Sequence, residues 1–422
     1  MDKFVITGGK PLKGEVKISG AKNAVLAIMP AALLNNGVNI IHNTPEVNDV
    51  YTMIKLLNNL GVQTEYKDFT VRLDTSNIIS QTAPYEHVKK MRASVYVLGP
   101  LLARYGFAKV SLPGGCAWGP RPINLHLEGL KKMGAEIDLD GGYIVAKTDR
   151  LKGTRINFDI SSVGATGNLL MAAALAKGTT IISNAAVEPE ITLLGETLMK
   201  MGARIDGLNT SVLEIEGVDE LNAVEVTNIP DRIEAGTILT AAAITRGNVT
   251  ITDVVSKHLL AVLSKLEDTG AKLVINKDVI SLDASDLELI KPVDVSTSIY
   301  PGFPTDMQAQ WTALMTISGG VSSVTDTIYL DRFKHVPELN RLGAEIEIHE
   351  NSVIIKGKKK LKGAKVMSTD LRASASLVIA GLAAEGTTEV LRIYHLDRGY
   401  EKIEKKLMSL GAQIDRVSGP EY

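Results

Sequence analysis

The chain has 422 residues, of which 45% are hydrophobic and 22% are charged, a composition typical of a globular enzyme large enough for two or three domains. Its 46 lysines and arginines against 48 aspartates and glutamates leave a net charge of −2, so no overall basic field would attract nucleic acid or anionic lipid. The single cysteine excludes an intrachain disulfide and indicates a reducing compartment.

From the sequence we expect neither a signal peptide nor a membrane-spanning segment. Residues 1–5 lack the basic stretch and apolar core of a signal peptide. The longest apolar run, residues 24–34, contains Pro30 and is too short to span a bilayer. We therefore expect a cytoplasmic protein that binds neither nucleic acid nor membrane. We also expect it to be a monomer.

A glycine followed by alanine or valine recurs six times, each time after a segment with helical periodicity. These glycines are Gly61, Gly134, Gly202, Gly270, Gly343 and Gly411. One offset relates the first three to the last three, because 270 − 61, 343 − 134 and 411 − 202 all equal 209. Such a glycine supplies the left-handed cap at a helix C-terminus, and the apolar residues after it begin a strand. The chain is therefore predicted to contain six similar units in two groups of three.

A second set of helices supports the same count. Alanine-rich apolar runs begin near Lys22, Arg92, Gly164, Glu234, Asp306 and Arg372, and end near Gly37, Gly106, Gly178, Gly247, Gly319 and Gly386. Because these runs are apolar nearly all round, the helices should be buried. A β-rich stretch follows each of them. We predict an α/β fold of two similar domains, divided near residues 229–231, where Pro230 interrupts the pattern.

Residues 112–122 contain the single cysteine, Cys116, among glycines and prolines, with Arg121 five positions further on. Proline fixes φ and glycine opens the positive-φ region, so this segment is neither a helix nor a regular strand. We predict a surface loop that carries a functional thiol and a guanidinium. The alternative is a cysteine packed in a core, which is the usual place of a free cysteine.

The sequence lacks the motifs of common nucleotide-binding and metal-binding sites. Neither a Gly-x-Gly-x-x-Gly fingerprint nor a Walker phosphate loop occurs. The seven histidines show no paired metal-ligand spacing. The sequence therefore predicts neither a metal nor a cofactor. We expect charged side chains to carry out the chemistry.

Cations occupy the predicted N-termini of three buried helices, at Lys22, Arg92 and Arg372. Helix N-termini favour anions, and a guanidinium adds bidentate donors for phosphate or carboxylate. For any single one, an ion pair with a nearby carboxylate is the simpler explanation. However, Arg-Ala-Ser begins at both Arg92 and Arg372, and Arg121 and Arg332 lie 211 residues apart, close to the repeat offset. We interpret the group as a set of anion ligands aimed at a common cleft between the two halves.

Asp306 lies at the start of the fifth buried helix, after Pro304 and Thr305. A carboxylate there is either a partner of the helix dipole or a base beside the cationic cleft. The sequence leaves both interpretations open.

These segments together resemble the enolpyruvyl transferase family, in particular its branch that acts on UDP-N-acetylglucosamine. The similarity covers essentially the whole chain and is strongest in residues 19–24, 112–116, 301–310, 370–376 and 394–401. It implies two inside-out α/β barrel domains of three units each. One barrel comprises residues 22–230 and carries the Cys116 loop; the other comprises residues 231–422 and is completed by an N-terminal strand within residues 1–21.

The resemblance implies transfer of the enolpyruvyl group of phosphoenolpyruvate to the 3′-hydroxyl of UDP-N-acetylglucosamine by addition and elimination. Phosphate is released, and the reaction is the first committed step of peptidoglycan precursor synthesis. One alternative is enolpyruvyl transfer to shikimate 3-phosphate, although the sister enzyme lacks the cysteine loop. The other alternative is a non-catalytic paralogue that binds the sugar nucleotide and regulates.

The resemblance also implies roles for single residues. Cys116 is similar to the acid that protonates the methylene carbon and can carry a pyruvate adduct, and Asp306 to the base for the sugar hydroxyl. Lys22, Arg121 and Arg398 match positions that hold the phosphate of phosphoenolpyruvate, with Lys22 and Arg398 also counted as catalytic. Its carboxylate is expected at Arg332 and Arg372, and Asn23 completes this set. The positions similar to sugar-nucleotide contacts are Asn23, Arg92, Arg121, Pro122, Ile123, Asn124, Leu125, Ser162, Val163, Gly164, Asp306 and Ile328. Residues 158–161 lack a lysine often found there in the family.

Overall fold

The computed structural model describes residues 2–89, 91–112 and 123–419. The chain divides into two compact units, the N-terminal unit of residues 20–229 and the C-terminal unit of residues 1–19 with 230–422. The structure places the two divisions after residues 19 and 229. The family resemblance placed them after residues 21 and 230, which is two residues and one residue later.

The described residues form 24 strands of two to six residues. They are β1 Asp2–Thr7, β2 Lys13–Lys17, β3 Val38–His42, β4 Gln63–Lys67, β5 Thr70–Asp74, β6 Thr82–Ala83, β7 Phe107–Ser111, β8 Glu136–Asp140, β9 Tyr143–Lys147, β10 Arg155–Asn157, β11 Thr179–Ser183, β12 Arg204–Asp206, β13 Val212–Glu216, β14 Glu225–Thr227, β15 Asn248–Thr252, β16 Lys272–Ile275, β17 Val279–Asp283, β18 Val295–Ser296, β19 Val321–Thr325, β20 Glu345–His349, β21 Ser352–Lys356, β22 Lys365–Met367, β23 Thr387–Leu391 and β24 Gln413–Ser418.

The same residues contain 13 α-helices and five 3-10 turns. The helices are α1 Lys22–Ala31, α2 Asn48–Leu60, α3 Tyr85–Val88, α4 Leu98–Tyr105, α5 Asn124–Lys132, α6 Val163–Ala173, α7 Pro189–Met201, α8 Arg232–Ile244, α9 Leu260–Asp268, α10 Gln308–Met315, α11 Val336–Arg341, α12 Leu371–Ala383 and α13 Ile403–Ser409. The 3-10 turns are Ala32–Leu34, Arg92–Val97, Ser256–His258, Thr305–Met307 and Ile393–Arg398.

The strands form six four-stranded sheets with one common arrangement. In order of hydrogen bonding, the sheets of the N-terminal unit are β14-β3-β5-β4, β6-β7-β9-β8 and β10-β11-β13-β12. Those of the C-terminal unit are β2-β15-β17-β16, β18-β19-β21-β20 and β22-β23-β1-β24. The first two strands of each sheet are parallel, and the remaining neighbours are antiparallel. In four sheets a buried helix makes the crossover that a parallel pair requires; these helices are α4, α6, α10 and α12.

Three strands lie in sheets whose other members are remote in sequence. β2 precedes α1 in the chain but pairs with β15, and β14 precedes α8 but pairs with β3. β1 pairs with both β23 and β24. β1 is the third strand of its sheet. In each of the other five sheets, the third strand comes directly after the fourth strand in the chain.

The six glycines that follow the amphipathic helices have φ between 87° and 110°. They come after α2, α5, α7, α9, α11 and α13, and a strand begins two residues after each of them. The left-handed conformation suits glycine because it has no Cβ to clash. The predicted helix–glycine–strand pattern, and with it the two-domain α/β fold of six units, is confirmed.

The second set of helices is buried, as the sequence predicts. α10 buries all eight of its residues and α8 buries every residue from Ile233 to Ile244. By contrast α2 buries only one stripe, which includes Val50, Met53 and Leu57. Each unit has its own hydrophobic core around these helices. Two of the buried helices differ from the prediction in their first turn, because 3-10 turns precede α4 and α10.

Candidate active site

Asp306 lies in the 3-10 turn before α10, between two arginines of the same unit. Its Oδ1 is 2.8 Å from Arg332 Nη2, and its Oδ2 is 2.7 Å from Arg372 Nη2. The arginine side chains are only 8% and 5% exposed, whereas the Asp306 side chain is 25% exposed. Two buried guanidinium groups therefore face one partly accessible carboxylate.

A chain of hydrogen bonds positions Arg332. Its Nη1 donates to Thr305 Oγ1 at 2.9 Å, and Thr305 Oγ1 donates to Asp326 Oδ2 at 2.7 Å. Asp326 is buried directly after β19, and its Oδ1 also accepts the backbone N–H of Ile328 at 2.9 Å. One carboxylate thus positions both Arg332 and the backbone at Ile328.

Arg372 is positioned from two sides. Its backbone N–H donates to Asp370, which caps α12, at 2.9 Å. Its guanidinium lies over the buried ring of Tyr400, 5.4 Å from the ring centroid. The Tyr400 hydroxyl is hydrogen-bonded to Thr237 at 2.9 Å and to Gln310 at 3.1 Å. The helix start and this anchored ring leave the guanidinium little freedom.

The electrostatics of Asp306 follow from this geometry. Burial opposes its ionisation, but the charges and hydrogen bonds of Arg372 and Arg332 outweigh burial and hold the pKa of Asp306 well below its usual range. Burial alone would lower the pKa of Arg372, yet the Asp306 charge raises it above its ordinary value. Asp306 is therefore ionised with both oxygens engaged, in the position that a bound carboxylate would take between two guanidinium forks.

The N-terminal unit has a buried cation at the start of α1. Lys22 Nζ lies 3.3 Å from Asp49 Oδ2 in the first turn of α2, and the two side chains are 11% and 4% exposed. Asn23, the next residue, is exposed. An ammonium group at a helix N-terminus adds to the positive end of the helix dipole.

The start of α6 is packed closely against α5. Ser162 caps the helix, because its Oγ accepts the backbone N–H of Ala165 at 3.3 Å. A Cβ on Gly164 would lie 3.1 Å from Nε2 of His126, so a larger residue there would force the ring to move. Gly164 therefore allows the imidazole to approach the first turn of α6.

His126 is neutral in this environment. Its Nδ1 lies 3.0 Å from the amide nitrogen of Asn168, which donates to it, so the ring proton is on Nε2. Burial lowers the pKa of His126 to about 4, and the nearby charge of Arg92 contributes in the same direction. A neutral imidazole with a donor on Nε2 thus lies beside the N-terminus of α6.

His126 should make the protein less stable in mild acid. In the unfolded chain the His126 ring takes up a proton near pH 6.5, whereas in the folded protein it does so near pH 4. The neutral ring therefore contributes its full share to the free energy of unfolding above pH 6.5, and this share is lost as the pH falls toward 4. We expect His126 to account for about 2 kcal/mol of the stability lost between pH 7 and pH 5. Urea unfolding of the wild type and His126→Asn at both pH values measures this. An identical pH dependence in the two proteins would contradict it.

The structure places the other predicted site residues as follows. Arg92 begins a 3-10 turn before α4, Ile123 is the N-cap residue of α5, and Asn124 and Leu125 are its first two residues. Val163 is the first residue of α6, and Arg398 ends the 3-10 turn Ile393–Arg398. The predicted residues Cys116, Arg121 and Pro122 lie outside the described residues. The direct contacts bring together Asp306, Arg332 and Arg372.

The sequence did not assign a role to His126, Asp49, Asp326 or Tyr400. His126 directly follows the predicted segment 121–125, so adjacency could have indicated it. Asp49 lies in the first turn of a predicted amphipathic helix, where an acidic residue usually serves the helix dipole. Asp326 and Tyr400 act through partners that are distant in sequence, and no local pattern distinguishes them.

Neither a metal cluster nor a membrane span is present in the part of the chain that the structure describes. No group of three or more His, Cys, Asp or Glu side chains there could hold a metal ion. No helix in those ranges combines the length and apolar character needed to cross a bilayer.

Comparison with known proteins gives a consistent result. The EPSP synthase (3-phosphoshikimate 1-carboxyvinyltransferase) family profile matches residues 6–407. UDP-N-acetylglucosamine 1-carboxyvinyltransferase of Chloroherpeton thalassium is 59% identical over 425 aligned positions, covering 100% of this chain and 99% of that protein. The protein of the same name from Chlorobium limicola is 57% identical, with full coverage of both chains.

The solved structures agree with the fold. The enolpyruvyl transferase NikO from Streptomyces tendae matches with a TM-score of 0.89 at 25% identity, covering 99% of each chain. EPSP synthase from Acinetobacter baumannii matches with a TM-score of 0.77 at 19% identity, covering 99% of this chain and 100% of that one. Full-length similarity at this identity, together with the shared six-unit fold, shows that the chain belongs to the EPSP synthase family of enolpyruvyl transferases, in the branch of the UDP-N-acetylglucosamine 1-carboxyvinyltransferases.

Proposed function

We propose that the protein transfers the enolpyruvyl group of phosphoenolpyruvate to the 3′-hydroxyl of UDP-N-acetylglucosamine and releases phosphate. The observation that carries the proposal is the pair of buried arginines around Asp306, in a chain 59% identical to an enzyme named for this transfer. The reaction would be the first committed step of peptidoglycan precursor synthesis in the cytoplasm, and would support cell-wall growth, cell shape and division.

Each charged part of phosphoenolpyruvate has a partner in the proposal. Arg332 and Arg372 bind the carboxylate, for which their planar forks are suited. The phosphate is held by Lys22, Arg121 and Arg398. Asn23, Arg92, the segments 121–125 and 162–164, and Ile328 bind the sugar nucleotide. Fixed positive charge stabilises the substrate anions without reorganisation during the reaction.

Asp306 would gain its function as a base when phosphoenolpyruvate binds. With both oxygens engaged by Arg332 and Arg372, its carboxylate is a weak proton acceptor. The substrate carboxylate competes for the same two guanidinium groups. Once the substrate carboxylate has replaced Asp306 there, Arg332 and Arg372 neutralise the substrate instead, and the pKa of Asp306 rises. The freed Asp306 oxygens can then accept the proton of the sugar hydroxyl.

The proposed chemistry balances over two steps. In the addition, the sugar 3′-oxygen bonds to C2 of phosphoenolpyruvate, Cys116 gives a proton to C3, and Asp306 takes the hydroxyl proton. In the elimination, the Cys116 thiolate takes a proton back from C3 while the C2–O bond to phosphate breaks, which restores the double bond, and the proton held by Asp306 leaves with the phosphate. Acid and base groups placed in this way each contribute rate factors of about 10² to 10⁴.

Phosphate release with defined acceptors tests the proposal. The purified protein should release phosphate from phosphoenolpyruvate only when UDP-N-acetylglucosamine is present, and mass spectrometry should show the enolpyruvyl sugar nucleotide. A chelator should not change the rate. Release with shikimate 3-phosphate instead would favour the sister reaction, and binding of the sugar nucleotide without any turnover would favour a regulatory paralogue.

Lys22→Ala and Arg398→Ala should weaken phosphoenolpyruvate binding far more than sugar-nucleotide binding. Each substitution removes a charge-assisted contact to the phosphate, worth about 1.5–3 kcal/mol. Titration calorimetry with each substrate measures the difference. Asp49→Asn controls for the loss of the Lys22 ion pair, and Arg392→Ala controls for a nearby exposed arginine. Unchanged phosphoenolpyruvate affinity in both alanine variants would remove these residues from the phosphate site.

A further inference from the structure

Arg416 in β24 connects the turn that carries Arg398 to the sheet beneath it. Its guanidinium donates to both oxygens of Asp397, from Nη1 at 3.0 Å and from Nη2 at 2.6 Å. Asp397 immediately precedes Arg398 in the 3-10 turn Ile393–Arg398. A bidentate arginine–carboxylate pair restricts both distance and orientation, so it restrains the backbone next to Arg398.

The same guanidinium is itself held in place by three further groups. Its Nε donates to Glu404 of α13 at 3.1 Å, and its Nη1 lies 3.4 Å from Asp2 of β1. The guanidinium also lies over the Phe4 ring, 5.1 Å from its centroid. Because β1, β24 and α13 all contribute, Arg416 presents a preorganised donor pair to Asp397.

Residues with positive φ lie on both sides of the turn. Arg392, directly before it, has φ of 58°, and Lys402, four residues after Arg398, has φ of 40°, a conformation that residues other than glycine seldom adopt. Ile393 and Leu396 anchor the turn through buried apolar side chains. Successive side chains of a 3-10 helix point about 120° apart, so Asp397 can be tied to the sheet while Arg398 points elsewhere.

We propose that Arg416 is a positioning residue for the phosphate of phosphoenolpyruvate, because it holds Asp397 and thereby fixes the adjacent Arg398. The inference rests on the proposed function, which assigns Arg398 to that phosphate. Arg416 itself does not touch the substrate. Its effect should therefore be confined to the substrate that Arg398 binds, whereas a merely structural ion pair would affect stability and both substrates alike.

Steady-state kinetics of Arg416→Gln, Asp397→Asn and the double variant test the proposal. Each single substitution should raise the KM for phosphoenolpyruvate about tenfold or more, while the KM for UDP-N-acetylglucosamine stays within about twofold. The double variant should be no worse than the single ones, because both remove the same contact. Arg416→Lys should be intermediate, since it keeps the charge but not the bidentate geometry.

Lys3→Gln is the matched control. It breaks an ion pair of similar exposure on the same sheet, Lys3 Nζ to Glu389 Oε2 at 2.7 Å, which does not involve the turn. It should leave both KM values unchanged. The proposal is overturned if Arg416→Gln leaves the phosphoenolpyruvate KM unchanged, if both KM values rise together with a fall in Tm, or if Lys3→Gln has the same effect. Failure of the proposed function is recognised separately, because the wild type would then make no enolpyruvyl sugar nucleotide.

Discussion

Asp306→Asn is expected to slow turnover strongly without weakening phosphoenolpyruvate binding. The amide is nearly isosteric with the carboxylate but cannot take the proton of the sugar hydroxyl, so the rate should fall by a factor of about 10² to 10⁴. The substitution also removes the anion that lies between Arg332 and Arg372. The substrate carboxylate then meets no competitor, and phosphoenolpyruvate should bind as tightly as before or more tightly.

Two measurements separate these effects. Single-turnover kinetics report the chemical step, and calorimetric titration with phosphoenolpyruvate reports binding. Asp294→Asn is a suitable control, because Asp294 lies in the same unit and its Oδ1 accepts a backbone N–H from Ser323 at 2.7 Å. Turnover within tenfold of the wild type would show that Asp306 is not the base. A marked loss of phosphoenolpyruvate affinity would show that the carboxylate does not compete with the substrate.

Cys116→Ser is expected to lose most of the activity, whereas Cys116→Asp should keep a substantial part of it. A thiol has a reference pKa near 8.5, so at pH 7 it is largely protonated and still gives up a proton readily. The serine hydroxyl is nearly the same size but is a far weaker acid. An aspartic acid whose pKa is raised by an apolar environment can supply a proton.

An alkylating or epoxide reagent gives a second readout for the same residue. The wild type should be inactivated, because the cysteine thiolate is the nucleophile that such reagents modify. Cys116→Asp should be resistant while still releasing phosphate. If Cys116→Ser were as active as the wild type, the residue would have only a packing role and the proposed acid would be wrong.

The local sequence determines where the helices end and which of them are buried. The six glycines after amphipathic helices determine where each helix ends, because only a residue without Cβ adopts the left-handed cap at little cost. The apolar, alanine-rich helices had to be buried wherever they packed. Lys22 and Arg372 lie at the starts of α1 and α12, as the same local pattern predicts, whereas Arg92 begins the 3-10 turn that precedes α4.

The sheet memberships were decided only by the tertiary structure. No local pattern in β2, β14 or β1 shows that these strands pair with β15, β3 and β24, although the family resemblance implied that an N-terminal strand completes the C-terminal barrel. Strand pairing depends on backbone hydrogen bonds between segments far apart in sequence, and short strands of similar composition are interchangeable in a local analysis.

The state of Asp306 was likewise decided in three dimensions. From the sequence it is either a helix-dipole partner or a base, because a carboxylate in a first helical turn suits both. Its pairing with Arg372, 66 residues away, and with Arg332 holds it ionised between two cations. The bidentate ion pair between Arg416 and Asp397 could not be predicted from the sequence either. The spacing of helical and strand residues is a local property of the chain, whereas the neighbours of a charge, and hence its pKa and its function, are set by the packing of distant segments.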